Sequence, residues 1–124
     1  MSIDEFLEPY PSEIMKTCEA LRSTIASLPV EMEEKVYTGW KLIGYRVKNG
    51  SKSHYIGFIA PCEKEKEVRL GFEYGVKIKH SPVKLEGKGT QVRYAVFTKP
   101  EQVKQNKLVP LILEAIDLAL KGKK

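Results

Sequence analysis

Five glutamates near the start of the chain are the residues whose type and spacing could hold a metal ion. Carboxylate oxygens are the ligands that Mg²⁺, Ca²⁺, Mn²⁺ and Fe²⁺ prefer, and Glu31 and Glu34 would share one face of a helical turn. The sequence predicts a weak cation site made by Glu31, Glu33 and Glu34 with help from Glu5 and Glu8. The alternative is an ordinary solvated acidic face.

Residues for covalent or acid–base chemistry are scarce. His54 and His80 are the only histidines, so no nucleophile can be matched with a base and a group that orients the base. The two cysteines, Cys18 and Cys62, lack the paired spacing of a zinc site. Cys18 lies on an apolar helical stripe, where burial would raise the pKa of its thiol and make it a poor nucleophile. We therefore predict a binding protein and not an enzyme.

The run Gly87-Lys88-Gly89, followed by Thr90, invites comparison with a phosphate-binding loop. Such a loop needs a glycine four residues before its Gly-Lys-Ser/Thr and a helix after it, and neither is present. The backbone amides of Gly87 and Gly89 with the side chain of Lys88 would make at most a weak anion nest. A plain flexible turn is the alternative.

Strands are predicted for the middle of the chain, because apolar residues alternate there. Alternation of period two indicates strands with one buried face. Asn49-Gly50 separates the first two strands and is typical of a tight hairpin turn, and a short edge strand over 76–80 is a further expectation. The residues predicted to face the core are Ile43, Tyr45, Val47, Ile56, Phe58, Ala60, Val68, Leu70, Phe72, Val92, Tyr94 and Val96.

Helices are predicted at both ends of the chain. Ser2 and Glu5 match a capping box at the start of a short helix, and a second helix follows Pro11, with apolar residues at three- and four-residue spacing. Because proline is costly inside a helix, the C-terminus is predicted as a short helix over 100–106 and a main helix from Pro110 to Leu120. The fold class is α+β: an antiparallel sheet of four to five strands with N- and C-terminal helices packed on one face, in a single domain of residues 1–124.

The opposite face of the sheet is the second candidate site. Small residues recur there beside aromatic and basic ones, and glycine in a strand marks a bulge or a close approach by another backbone or a ligand. The expected groove would bind a nucleic acid or another acidic partner. Alternatively, Tyr55 shields Gly44, or the 75–91 segment folds over the glycines. The predicted groove residues are Arg46, Tyr55, Gly57, Arg69, Gly71, Arg93 and Phe97.

Charge and length bound the class of protein. The chain has 124 residues and a net charge of +5, yet residues 1–34 carry eight acids and only two bases, so the positive excess lies in the rest. This asymmetry fits two solvated faces, an acidic cation site at the front, or a polyanion site on the body. No apolar run approaches the roughly 20 residues that span a bilayer, and the acidic start is unlike a signal peptide. We expect a cytoplasmic protein without a membrane partner.

Several short motifs resemble the YdhG-like bacterial family of domains of unknown function. The resemblance covers about residues 12–120 and implies a small cytosolic α/β domain. One branch of the family is described as a frataxin-like intracellular iron chaperone, which would imply Fe²⁺ as the metal and iron–sulfur or haem assembly proteins as partners. The residues that carry the resemblance are Glu33-Glu34, Tyr37, Gly39, Gly57-Phe58, Val68-Arg69-Leu70-Gly71-Phe72, Gly75, Leu85-Glu86-Gly87, Gly89 and Arg93.

Two functions therefore remain open at this point. The first is frataxin-like metal carriage through the acidic residues at the front of the chain. The second is binding of a nucleic acid or an acidic partner through the open face of the sheet.

Overall fold

The computed structural model describes residues 1–121 and contains a five-stranded antiparallel sheet with helices at both ends of the chain, which confirms the predicted α+β fold. The strands lie side by side in chain order. No helix within residues 1–121 combines the length and apolarity needed to span a bilayer. The elements are α1 (Ile3–Leu7), α2 (Ser12–Ala26), β1 (Glu33–Tyr37), β2 (Leu42–Asn49), β3 (Lys52–Cys62), β4 (Glu67–Phe72), β5 (Arg93–Phe97) and α3 (Gln105–Lys121).

The hydrophobic core lies between one face of the sheet and the two long helices. α2 and α3 contact each other, and both contact β3. Leu21 of α2, Ile43 and Ile59 of the sheet and Leu111 of α3 are each at most 1% exposed. Burying an aliphatic side chain of this size contributes roughly 1.5–3 kcal/mol, so these contacts hold the helices on this face.

A β-bulge in β3 changes which residues face that core. Arg46 lies opposite Tyr55 but Tyr45 lies opposite Gly57, so Ile56 is one residue more than β2 can pair. Beyond the bulge Ile59 faces the helices and is 0% exposed, while Phe58 faces the other side. The prediction that Phe58 and Ala60 face the core is therefore wrong, because one inserted residue exchanges the two faces of all that follows.

The orientation of β5 was also predicted wrongly. Ala95 lies opposite Leu70, and Phe97 lies opposite Val68. Both β4 residues face the helices, and Ala95 and Phe97 are accordingly only 1% and 3% exposed. The sequence permits either choice, because both faces of this short strand carry apolar residues. Pairing with β4 decides between them.

The turn between β2 and β3 is displaced from its predicted position. Asn49 pairs with Lys52, so the two central residues are Gly50 and Ser51 and not Asn49 and Gly50. Gly50 has a φ of 68°, a value that glycine adopts without steric cost. The displacement by itself changes no face, since it moves the register by two residues.

The connection between β4 and β5 runs along the edge of the sheet and toward α3. The expected edge strand over 76–80 is absent there, and a 3₁₀ turn spans Gly75–Lys77. Glu86 instead exchanges two backbone hydrogen bonds with Tyr94, with N···O distances of 2.7 and 2.9 Å. The Glu114 carboxylate of α3 accepts a hydrogen bond of 2.8 Å from the amide of Lys79. These contacts place the connection beside β5.

The C-terminal segment forms one helix where two were predicted. Residues Pro100–Gln102 form only a 3₁₀ turn, and α3 begins at Gln105, with Pro110 inside it. Pro110 lies in the second turn and is exposed. One lost hydrogen bond, to the exposed Asn106, can be replaced by water there, so the proline costs less than in a buried helix interior.

Candidate functional site on the open face of the sheet

The side of the sheet away from the helices presents aromatic and basic side chains from all five strands. We call this surface the open face. The strand register aligns Phe58 of β3, Gly71 of β4 and Tyr94 of β5 in one row, and Arg46 of β2 with Tyr55 of β3 in another. Its defining residues are Lys35, Tyr37, Arg46, Tyr55, Phe58, Arg69 and Tyr94, with Trp40 in the β1–β2 turn at its edge.

Aromatic rings fill the space above the glycines of this face. A Cβ atom placed on Gly71 would lie 2.0–2.6 Å from ring atoms of Phe58. A Cβ on Gly44 would lie 2.4 Å from the Tyr37 ring and 3.1 Å from the Tyr55 ring. The glycines therefore do not form the floor of an empty groove, and the rings themselves are the surface. For Gly44 this arrangement agrees with the alternative in which Tyr55 shields it.

Cationic groups lie over three of the rings. The Lys35 Nζ atom is 5.5 Å from the centroid of Tyr37, and the Arg46 guanidinium carbon is 5.7 Å from that of Tyr55. The Arg69 guanidinium carbon is 4.7 Å from the Tyr94 ring. Cation–π contacts of this length contribute about 0.5–1 kcal/mol each at exposed sites, so they orient both partners.

Tyr37, Tyr55 and Trp40 form a continuous aromatic row at the β1 side of the open face. The Tyr37 and Trp40 rings are stacked with centroids 5.7 Å apart, and the Tyr37 and Tyr55 rings meet edge to face at 6.4 Å. Trp40 is 70% exposed, whereas both tyrosines are half-buried. Burial, followed by the charge of Glu73, raises the pKa of Tyr55 to about 12. Its hydroxyl therefore stays neutral at physiological pH.

The structure places only part of the predicted groove on this face. Arg46, Tyr55 and Arg69 lie on it, and Gly71 lies beneath Phe58. Gly57 and Phe97 belong to the helix-covered side, for the reasons of bulge and register given above, so their predicted place in the groove is wrong.

Arg93 and the predicted anion loop form a separate local structure. The Arg93 Nη1 atom donates hydrogen bonds to the carbonyl oxygens of Gly89 at 2.7 Å and Val92 at 2.8 Å. Arg93 is thus engaged by the loop and is not part of the open face. Gly87 has a φ of 132° and Lys88 is exposed. Anion binding by Gly87, Lys88 and Gly89 stays a prediction.

Glu34, the central residue of the predicted metal site, already has three hydrogen-bond donors. Arg22 Nε donates to Oε2 at 2.8 Å and Arg22 Nη2 to Oε1 at 3.0 Å, a bidentate ion pair. The Tyr45 hydroxyl donates to Oε2 at 2.6 Å. Burial alone would raise the pKa of Glu34, but the hydrogen bonds from Arg22 and Tyr45 and the charge of Arg22 outweigh it and hold the pKa below its ordinary value.

The other predicted metal ligands are spread over different elements. Glu5 caps α1, where its carboxylate accepts a 2.8 Å hydrogen bond from the amide of Ser2, and the hydrogen bonds from the Ser2 amide and hydroxyl lower its pKa. Glu8 ends the same helix, and Glu33 lies opposite Arg46. Glu31 precedes β1. Within residues 1–121, no three histidine, cysteine or acidic side chains are grouped as a metal ion would need.

The sequence analysis missed five residues of the open face: Lys35, Tyr37, Trp40, Phe58 and Tyr94. Phe58 and Tyr94 were assigned to the core, and the strand that carries Lys35 was read as a helical turn. One signal pointed to the correct answer for Phe58. The glycine before it, inside an otherwise apolar strand, is typical of a bulge, and a bulge there moves Phe58 to the open face.

Comparison of the chain with protein-family models, with curated proteins and with solved structures gives no match. Assignment to the YdhG-like family therefore stays a prediction based on the motifs.

Proposed function

We propose that the open face binds single-stranded nucleic acid. The observation that carries this proposal is the half-exposed aromatic surface of Tyr37, Tyr55, Phe58 and Tyr94, with cations placed over three of the rings. Bases stack on such rings whatever their sequence, because every base has a π face. Each stacked base contributes about 1–3 kcal/mol.

The charge of the open face limits how much of the affinity comes from phosphate contacts. Arg69 is paired with Glu67 at an N···O distance of 2.7 Å. Lys35 and Arg46 have no carboxylate within ion-pair distance in the part of the chain that the structure describes. Two phosphate contacts would give a slope of about −1.4 for log K against log salt, at about −0.7 per contact with a single strand. Stacking should therefore dominate.

Trp40 offers a direct measurement, because it is the only tryptophan in the chain and lies at the edge of the open face. The experiment titrates the protein with an unstructured oligonucleotide of about eight nucleotides. Its extended length exceeds the width of the five-stranded sheet, roughly 19 Å. We expect saturable quenching of Trp40 fluorescence, with the shallow salt dependence given above. A flat titration at low salt with both DNA and RNA would overturn the proposal.

Leucine variants separate ring stacking from general apolar contact. Tyr55→Leu and Phe58→Leu keep an apolar cover over the glycines but remove the π face, so each should weaken binding about tenfold. The control is Tyr10→Leu, since Tyr10 packs against Phe6 of α1, with ring centroids 5.7 Å apart, and lies outside the open face. Equal affinities for all three variants would contradict stacking on this face.

Carriage of ferrous iron through the acidic residues stays a prediction with a more demanding condition. A metal ion that takes Glu34 as a ligand competes with Arg22 and Tyr45, which already occupy three of the roughly four lone-pair sites of its carboxylate. An amide NMR titration with Fe²⁺ under argon tests this, because broadening should then start at residues 31–34. Arg22→Ala frees Glu34, so it should tighten iron binding if Glu34 is a ligand and leave it unchanged if it is not.

A further inference from the structure

A cleft of about 680 Å³ lies between the second half of α2, the segment that follows it and the edge of the sheet at β1. We call it the α2–β1 cleft. It lies on the helix side of the sheet, away from the open face, and its volume is typical of sites for small molecules. The apolar residues that line it include Ile25, Leu28, Val30 and Met32, and the polar ones are Glu19, Arg22, Ser23, Glu31, Glu34 and Tyr45.

Among the described residues that line this cleft, Arg22 is the one cation, and two carboxylates share it. Besides its bidentate pair with Glu34, Arg22 donates from Nη1 to Glu19 Oε1 at 2.9 Å. The Tyr45 hydroxyl donates a further hydrogen bond to Glu34, and Tyr45 is only 2% exposed. The two ion pairs use three of the five N–H donors of Arg22 and direct them at Glu34 and Glu19.

Glu31 is the third carboxylate of the cleft and, unlike Glu19 and Glu34, is not bonded to Arg22. Its side chain lines the cleft, is exposed, and has no ion-pair partner among residues 1–121. The lining residues that lie within 1–121 include three carboxylates and one guanidinium, which give a net charge of two negative units. Glu34 keeps its charge at neutral pH, since its pKa is held below its ordinary value. A ligand that complements the cleft is a cation with an apolar body.

We propose that the α2–β1 cleft binds a small aliphatic amine. The ammonium group lies against Glu31 and Glu19, whose oxygens keep lone pairs that Arg22 does not use. The hydrocarbon body lies on Leu28, Val30 and Met32 of the cleft wall. The inference is independent of nucleic-acid binding, since the two surfaces lie on opposite sides of the sheet.

Pentylamine is the probe for this site, because it joins one ammonium to a short hydrocarbon chain. An amide NMR titration at neutral pH and low salt should give saturable shifts in the second half of α2 and in residues 28–34, with an affinity of about millimolar for a molecule this small. Pentanol and pentanoate have the same body without the charge or with the opposite one. Binding of pentanol equal to that of pentylamine would overturn the proposal, as would shifts outside the cleft.

Glu31→Gln removes one charge of the cleft without changing its shape. We expect it to weaken pentylamine binding about two- to fivefold, the range for a partly exposed ion pair. Glu101→Gln is the matched control, because Glu101 is an exposed carboxylate of the 3₁₀ turn at Pro100–Gln102, outside the cleft, and should leave the affinity unchanged. Equal effects of the two substitutions would mean that only the net charge of the protein matters, which contradicts the proposed site.

The same ammonium could also come from a lysine side chain of another protein. Nα-acetyl-lysine amide presents a free side-chain ammonium on a peptide backbone, so its affinity distinguishes the two sources. Comparable or weaker binding than pentylamine supports a free amine as the occupant. Binding more than about tenfold tighter would show that the cleft recognises the peptide, and the small-amine proposal would be wrong.

Discussion

The two faces of one sheet meet opposite demands in this protein. On the helix-covered face, the backbone leaves no room at Gly57, where a Cβ would lie 2.0 Å from the carbonyl oxygen of Gly71. On the open face, the atoms nearest to a Cβ on Gly71 would be those at the far end of the Phe58 ring. An added atom therefore pushes against backbone on the helix-covered face, whereas on the open face it pushes against a side chain that can move. The open face can adapt to a ligand at low cost in stability.

Polar groups differ between the two faces in the same way. On the covered side, Arg22, Glu34 and Tyr45 satisfy one another by short hydrogen bonds. On the open side, Lys35 and Arg46 lie over aromatic rings and retain their hydrogen-bond donors for a ligand. The difference indicates that the covered cluster stabilises the fold, while the open cations remain available.

The largest expected effect comes from adding one methyl group to a glycine. Gly57→Ala pushes against a backbone carbonyl of β4 and should lower the free energy of unfolding by about 3 kcal/mol, whereas Gly71→Ala should cost less than about 1.5 kcal/mol because the Phe58 ring can turn outward. Urea denaturation followed by circular dichroism measures both. Equal losses would show that the two faces are equally rigid.

The next effect compares one ion pair from each face. Arg22→Ala leaves the partly buried Glu34, 28% exposed, with Tyr45 as its only side-chain donor, and should cost about 1–2 kcal/mol. Arg69→Ala removes the pair with Glu67 on the open face, where a single hydrogen bond of 2.7 Å joins side chains that are 32% and 18% exposed, and should cost less, about 0.5–1 kcal/mol. Denaturation of both variants at one ionic strength checks the order, and the reverse order would contradict it.

Alkaline pH acts on the covered cluster through Tyr45. Burial, with the hydrogen bond to Glu34, raises the pKa of Tyr45 far above the ordinary value near 10. A raised pKa stabilises the folded state fully below the unfolded pKa, and this stability is lost as pH rises toward the folded pKa. Between about pH 9 and pH 11, the contribution of Tyr45 should lower the free energy of unfolding by about 1.4 kcal/mol. Tyr45→Phe should lack this component, so its stability should fall less over that range, and parallel pH profiles would contradict the assignment.

The smallest effect on stability should come from Trp40. Because it is 70% exposed, Trp40→Ala should change the free energy of unfolding by no more than about 0.5 kcal/mol. The variant nevertheless loses the ring that stacks on Tyr37. Nucleic-acid binding, followed by NMR because the fluorophore is gone, should weaken while stability does not. A large loss of stability would mean that the open face is part of the structural framework.

Residues with local partners were predictable. Ser2 and Glu5 form the expected capping box, because both residues lie within one helical turn. The Ser2 amide donates to Glu5 Oε1 at 2.8 Å, and the Glu5 amide donates to Ser2 Oγ at 3.1 Å. Cys18 is 0% exposed as its position on the helical stripe required, and burial raises its pKa to about 12. β1 was missed because charged residues are common on edge strands, where they prevent pairing with other chains. The run Glu33-Glu34-Lys35 therefore has no apolar alternation that would indicate a strand.

The sequence by itself determined the α+β class, the order of most elements and the capping box of α1, since hydrogen bonds and apolar periodicity within a few residues encode them. The tertiary structure alone decided which side of the sheet receives Phe58 and Tyr94, and which partner neutralises Glu34. The reason is physical. A strand side chain changes face with a shift of a single residue, and only pairing with distant strands sets that shift, through the bulge at Ile56 and the alignment of β5 with β4.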